Sequence, residues 1–192
     1  MEIARQSGDH NALKASLEEL VAVDATAGVQ RTDRTRFLAA MASLELAEPV
    51  RRRFIVVKLT QPLAKSLKWK KSLMEEVITA YTSAANYGVA EVTTAATFRL
   101  GEVYEQFSAD LMNSDRPADL SADALEQYEI LLEEQVFPFE EKAIDLYKAN
   151  ANRALDGVYD EWVQKSFQRL AGLMPARYAK QERSENVVTT LF

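Results

Sequence analysis

The stretch "TFRLGEVYEQF", residues 97–107, decides how this chain is read. Its centre, Leu100-Gly101-x-x-Tyr104, sets a glycine inside a segment that otherwise has the composition of a good helix. Glycine in a helix interior costs roughly 0.5–1 kcal/mol relative to alanine. A glycine kept at that cost needs a reason, and a close approach by a neighbouring element would supply one.

Outward from this segment the helical pattern continues. "GDHNALKASLEELVAVD" opens with polar starters and then sets Leu13, Leu17, Leu20 and Val21 on one stripe. "RTDRTRFLAAMASLELAEP" carries Phe37, Met41 and Leu44, with Pro49 marking its end. Phe54 to Val57 are β-prone, but a lone strand has no partner here, so "PVRRRFIVVKL" reads as a short helix. Thr60 and Pro62 then resemble a cap and an early helical proline for a helix over 62–86. Gly88 closes that helix, and another runs over 92–112. "NSDRPADLSAD" is a loop, with Ser121 as the next cap. Pro138 either kinks the following helix or begins a new one. Gly157 is a stop, and "VYDEWVQKSFQRLAGLM" is a further amphipathic helix ended by Pro175. About eight helices joined by short turns suggest antiparallel pairs, in a bundle or a solenoid.

Composition narrows the function. Of 192 residues, 47% are apolar, enough for a substantial core, while five prolines and six glycines are few. A net charge of −6 argues against a nucleic-acid binder, because phosphate neutralisation needs excess Lys and Arg. No apolar run approaches the ~20 residues of a membrane span. The opening "MEIARQSGDH" has no apolar core of an export signal. With no cysteine and the single His10, the chain offers no thiolate site and no Glu-x-x-His pair for a helical di-iron centre. No P-loop, G-x-G-x-x-G or G-x-S-x-G element occurs, so no cofactor, metal or catalytic group is expected. His10 reads as a polar residue at a turn or helix start.

Leu100, Gly101 and Tyr104 match the L-G-x2-Y of a tetratricopeptide repeat, with Thr97 where the pattern has tryptophan. Val77, Tyr81 and Ala84 are spaced as in the second helix of such a unit, and Ala143 with Tyr147 gives A-x3-aromatic again. Roughly thirty residues, including the 113–120 loop and a 121–136 helix, separate Tyr104 from that later pair. The chain thus resembles an all-α tetratricopeptide-like array of antiparallel helix pairs. That resemblance implies a right-handed solenoid with degenerate repeats and an inserted helix. Residues 1–30 look like half of a unit whose exposed face needs a neighbour, 31–182 like the array, and 183–192 like a flexible tail.

A narrower resemblance covers 60–182. "YGVAEVTTAATFRLGEVY", "LEQYEILLEEQVFPFEEKAI", "GVYDEWV" and "LMPARYAK" look like the C-terminal region of large bacterial tetratricopeptide-repeat proteins of gliding-motility and Tol-like envelope machinery. It implies a non-catalytic protein–protein scaffold, with a periplasmic or envelope setting expected. Register set by Leu100-Gly101 puts Phe98, Glu102, Glu105 and Gln106 towards a groove for a partner segment. A homo-oligomer through the incomplete N-terminal unit is a further expectation.

Charge is segregated along the chain. Arg51, Arg52, Arg53, Lys58, Lys65, Lys68, Lys70 and Lys71 fall within 51–71 without an acid among them. Nine acids stand in 119–145 against Lys142 alone. Two solvated faces attracting one another is the plain reading. The alternative is a regulatory domain docking its basic segment on an acidic protein or anionic lipid surface. Trp69 beside the lysines could favour a membrane surface, though a lone tryptophan more often packs in a core. The adjacent pairs Glu133-Glu134 and Glu140-Glu141 point about 100° apart on a helix, so neither converges on one atom. The aromatic stripe from Phe98 to Phe167 reads as core.

Overall fold

Side-chain caps start most of the long helices. The structure, a computed structural model, describes residues 9–180. Asp9 accepts hydrogen bonds from the amides of Asn11 and Ala12 and opens α1 (His10–Thr26), so His10 stands at a helix start. Thr32 and Thr35 form a reciprocal capping box for α2 (Asp33–Val56). The expected Ser121 cap heads α5 (Ala122–Asn152), and Asp160 accepts from Trp162 and Val163 to head α6 (Glu161–Leu173). Between them lie α3 (Leu63–Ala85) and α4 (Ala90–Met112), and Pro175–Tyr178 forms a final turn, α7. Gly88 and Gly157 take positive φ of 67° and 80° at the stops expected of them.

Three expectations about boundaries are corrected. Pro49 does not end α2, because the helix runs on to Val56 and absorbs the segment read as a separate short helix. Buried Ala47 and Phe54, on either side of the proline, anchor both halves to one core. Thr60 is not the cap of α3; Pro62 stands at the N-cap position, and the Gln61 side chain accepts from the Leu63 amide. Pro138 lies inside one continuous helix of 31 residues. Residues 121–136 are therefore the first half of the helix that carries Ala143 and Tyr147, not a separate inserted helix.

Among the described residues the chain is all helix, with no strand. Each helix packs on the next, and α4 also touches α2 and α6. The helices α2, α4 and α6 thus stand side by side, backed by α3 and α5. The main core joins Phe54, Leu73, Val77, Tyr81, Val103, Phe107 and Leu132 from four helices. A second cluster gathers Phe98, Ala143, Tyr147, Ala151 and Leu170 from α4, α5 and α6. The start of the expected half-unit, residues 1–8, and the expected tail, 183–192, lie outside the described residues; α1 packs on α2.

At Gly101 the Tyr147 side chain of α5 lies close against the backbone of α4. A Cβ there would lie 2.5 Å from Cε1 and 2.8 Å from Cζ of Tyr147. That ring is fully buried, and its hydroxyl donates to Glu105 at 2.7 Å, so it has no room to step aside. Gly101→Ala is expected to lower the unfolding free energy by about 1–3 kcal/mol, against the helix-propensity gain alanine normally brings. Gly172→Ala on α6, where a Cβ meets nothing within 4 Å, is expected to be neutral or stabilising by up to ~1 kcal/mol. Urea unfolding of both variants checks the contrast; an equal response would separate Gly101 from the Tyr147 contact.

Candidate functional site

The side-by-side helices α2, α4 and α6 enclose a cleft of about 210 Å³. Three of the four residues assigned to a groove line it: Glu102, Glu105 and Gln106 project from α4. Phe98 does not reach it. It is 4% exposed and packs against Tyr147 and Trp162 at centroid distances of 5.6 and 5.5 Å. Phe98 stands one turn before Glu102 on the same face of α4, and it lines the neighbouring hollow by Trp162 rather than the cleft. A second, more open hollow of about 400 Å³ lies beyond, bounded by Arg99, Trp162 and Lys165. Both hollows share Glu102 and Arg169, whose charged groups approach to 3.7 Å and divide them.

A ladder of polar side chains runs under the cleft. Tyr81 on α3 donates to Glu48 on α2 at 2.7 Å, and Glu48 pairs with Arg51 at 3.1 Å and Arg99 at 3.3 Å. Arg99 continues to Glu102 at 2.7 Å, and its guanidinium lies over the Trp162 ring. Arg169 bridges Glu102 and Glu105, and Glu105 receives the Tyr147 hydroxyl at 2.7 Å. Burial pushes both tyrosine hydroxyls well above their ordinary range, and the bonded carboxylates push them further, so each stays a donor. Burial also pushes the Glu48 carboxyl up, but Tyr81, Arg51 and Arg99 outweigh it and hold the group below its usual value. Glu48, Arg99 and Arg169 escaped the sequence reading. The i,i+3 pairs Glu48–Arg51 and Arg99–Glu102 were visible signals; Arg169 has no local one.

The basic segment does not form a single patch. Lys70 is fully buried, and its ammonium donates to the carbonyls of Phe54 at 2.9 Å and Val57 at 2.6 Å. It also pairs with Asp110 on α4 and sits 4.4 Å from the centre of the Phe54 ring. Lys70 therefore closes the end of α2, where the helix dipole and unpaired carbonyls favour a cation. Arg51 turns into the cleft and Arg53 pairs with Glu76 at 3.0 Å. Arg52, Lys58, Lys65, Lys68 and Lys71 remain outside, with no ion pair among the described residues. Trp69 is 57% exposed rather than core.

Of the adjacent carboxylates, Glu140 accepts from Ser108 at 3.1 Å, while Glu133, Glu134 and Glu141 face solvent. The aromatic stripe is divided, with Phe107 and Tyr147 in the core and Phe137 and Tyr159 exposed. Among the described residues no cluster of His, Asp or Glu is placed to hold a metal ion, and no helix is long and apolar enough to cross a membrane. No family model, curated protein or solved structure matches the chain.

Two outcomes follow from the buried charges. Lys70→Met leaves two carbonyls and a carboxylate without their cation, and is expected to lower stability by about 3–5 kcal/mol in urea unfolding. Glu48, with a depressed folded-state value, contributes stability that is present above its unfolded value of 4.5 and lost as pH falls through the lower folded one. Thermal midpoints followed downward from neutral pH are expected to fall less steeply in Glu48→Gln than in the parent chain.

Proposed function

We propose that this chain is a non-catalytic scaffold, a tetratricopeptide-like array that holds a segment of a protein partner along the cleft of α2, α4 and α6. The observation that carries the reading is that side chains from three alternate helices meet in one cleft. Repeat arrays present a partner surface in this way, from one helix of each unit. The cleft is smaller than the ~300–1,000 Å³ of small-molecule sites. Its size suits one or two anchoring side chains rather than a substrate. Its paired guanidinium and carboxylate groups offer donors and acceptors to a polar segment, and Ile55 and Val103 add an apolar edge.

A repeated device supports the array itself. In α2–α3 a tyrosine of the second helix, Tyr81, donates to a glutamate of the first, Glu48; in α4–α5, Tyr147 does the same to Glu105. The resemblance to large bacterial repeat proteins points to an assembly of the cell envelope.

Ile55, which is exposed, and Gln106, which also donates to Asp110 at 2.9 Å, line the cleft outside the polar ladder. The intact chain, used as bait with cross-linking in a bacterial envelope extract, is expected to retain a main partner. Ile55→Glu with Gln106→Arg is expected to reduce that capture at least tenfold, with unchanged far-ultraviolet circular dichroism. Capture undiminished in the double variant would remove the cleft from the binding surface.

A further inference from the structure

A largely apolar groove of about 260 Å³ lies between α3 and α5, with Leu111 of α4 in its lining. Its walls include Leu63 and Leu67 from α3 and Tyr128, Leu131 and Leu132 from α5. Leu131 at the groove wall is 59% exposed, and outside the groove α5 carries Ile130, 52% exposed, and Phe137, 56% exposed. At 100° per residue Glu134 and Glu141 share their outward arc. On α3, Lys65, Lys68 and Lys71 recur every third residue and are exposed, with Lys71 at the edge of the groove itself. None of these five charges is in an ion pair among the described residues. Glu75 on α3 and Lys142 on α5 are exceptions to the division. The two faces expected to attract one another within the fold thus stay apart, one on either side of an apolar groove.

We propose that the α3–α5 face is the interface of a symmetric dimer of this chain. The lysine row of one copy's α3 lies against the carboxylates of the other copy's α5, and the groove closes at the centre. A basic flank and an acidic flank on either side of an apolar strip make a surface that is its own complement. A two-fold axis along the groove exchanges the flanks, so each copy's lysine row meets the other's acidic row and the dimer holds that contact twice. A wholly acidic partner or an anionic membrane would match α3 and be repelled by α5. A wholly basic partner would have the reverse fault. Closing the strip also removes from water an apolar patch of the kind that marks association surfaces. This surface is separate from the cleft of α2, α4 and α6, so either reading can fail alone.

Sedimentation velocity on the full chain tests the proposal by charge exchange. The parent chain is expected to dimerise at micromolar to sub-millimolar concentration. Lys68→Glu with Lys71→Glu, and separately Glu134→Lys with Glu141→Lys, each set like charges face to face and are expected to weaken self-association roughly tenfold or more. Mixing the two variants restores opposite charges across both halves and is expected to recover the dimer. Circular dichroism confirms that these exposed substitutions leave the fold intact. A parent chain that stays monomeric, variants that dimerise as well as the parent, or a mixture that does not recover would each overturn the proposal. So would a monomer that binds phosphatidylglycerol vesicles through Lys68 and Lys71, which would give the face to a membrane.

Discussion

The ammonium group of Lys70 is the point on which three helices depend. The end of α2 exposes carbonyl groups that no further turn of helix satisfies. Lys70 reaches them from α3 and at the same time meets the Asp110 carboxylate of α4. A charge with no exposure to water is tolerable only with such partners, because desolvating it alone costs several kcal/mol. The constraint works in both directions. The cation holds α2, α3 and α4 in one arrangement, and that arrangement keeps the cation dry. Phe54, packed under the same ammonium, ties the polar contact to the main core.

From that junction the polar ladder follows the path of the helices. Glu48 and Arg51 lie in the last three turns of α2, and Arg99, Glu102 and Glu105 step along α4 towards Arg169 of α6. Each tyrosine at the ladder's ends is buried by its ring and bonded by its hydroxyl, which gives a large apolar area without an unsatisfied polar atom. The surface of this ladder is the cleft. Its chemistry is balanced because the charges first serve to join helices. What remains for a partner is the geometry of their outer edges.

Much of the fold was legible in local sequence. Ser121, Gly88 and Gly157 act where cap and stop chemistry placed them, because those signals operate over three or four residues. The prolines misled for the same reason. Pro49 and Pro138 oppose helix locally, but each lies in a helix held on both sides by buried residues, and packing outweighs the loss of one backbone bond. Glu102, Glu105 and Gln106, grouped by helical spacing, line one cleft. Phe98, one turn earlier on α4, lines the neighbouring hollow instead, because its ring is covered by Tyr147 and Trp162 from other helices.

By itself the sequence determined that this chain is helical and where most helices begin and stop, since these depend on neighbours along the chain. It also marked Gly101 as a contact position, because only a close approach justifies a glycine there. Tertiary structure alone decided what makes that approach, the Tyr147 ring from the next helix, forty-six residues along the chain. It alone separated Lys70 from the lysines around it, sending one into the core and leaving the others and Trp69 in solvent. The physical reason is that burial and ion pairing are properties of three-dimensional neighbours. A lysine's place in a run of basic residues says nothing of which carbonyls and carboxylates the fold will set around it.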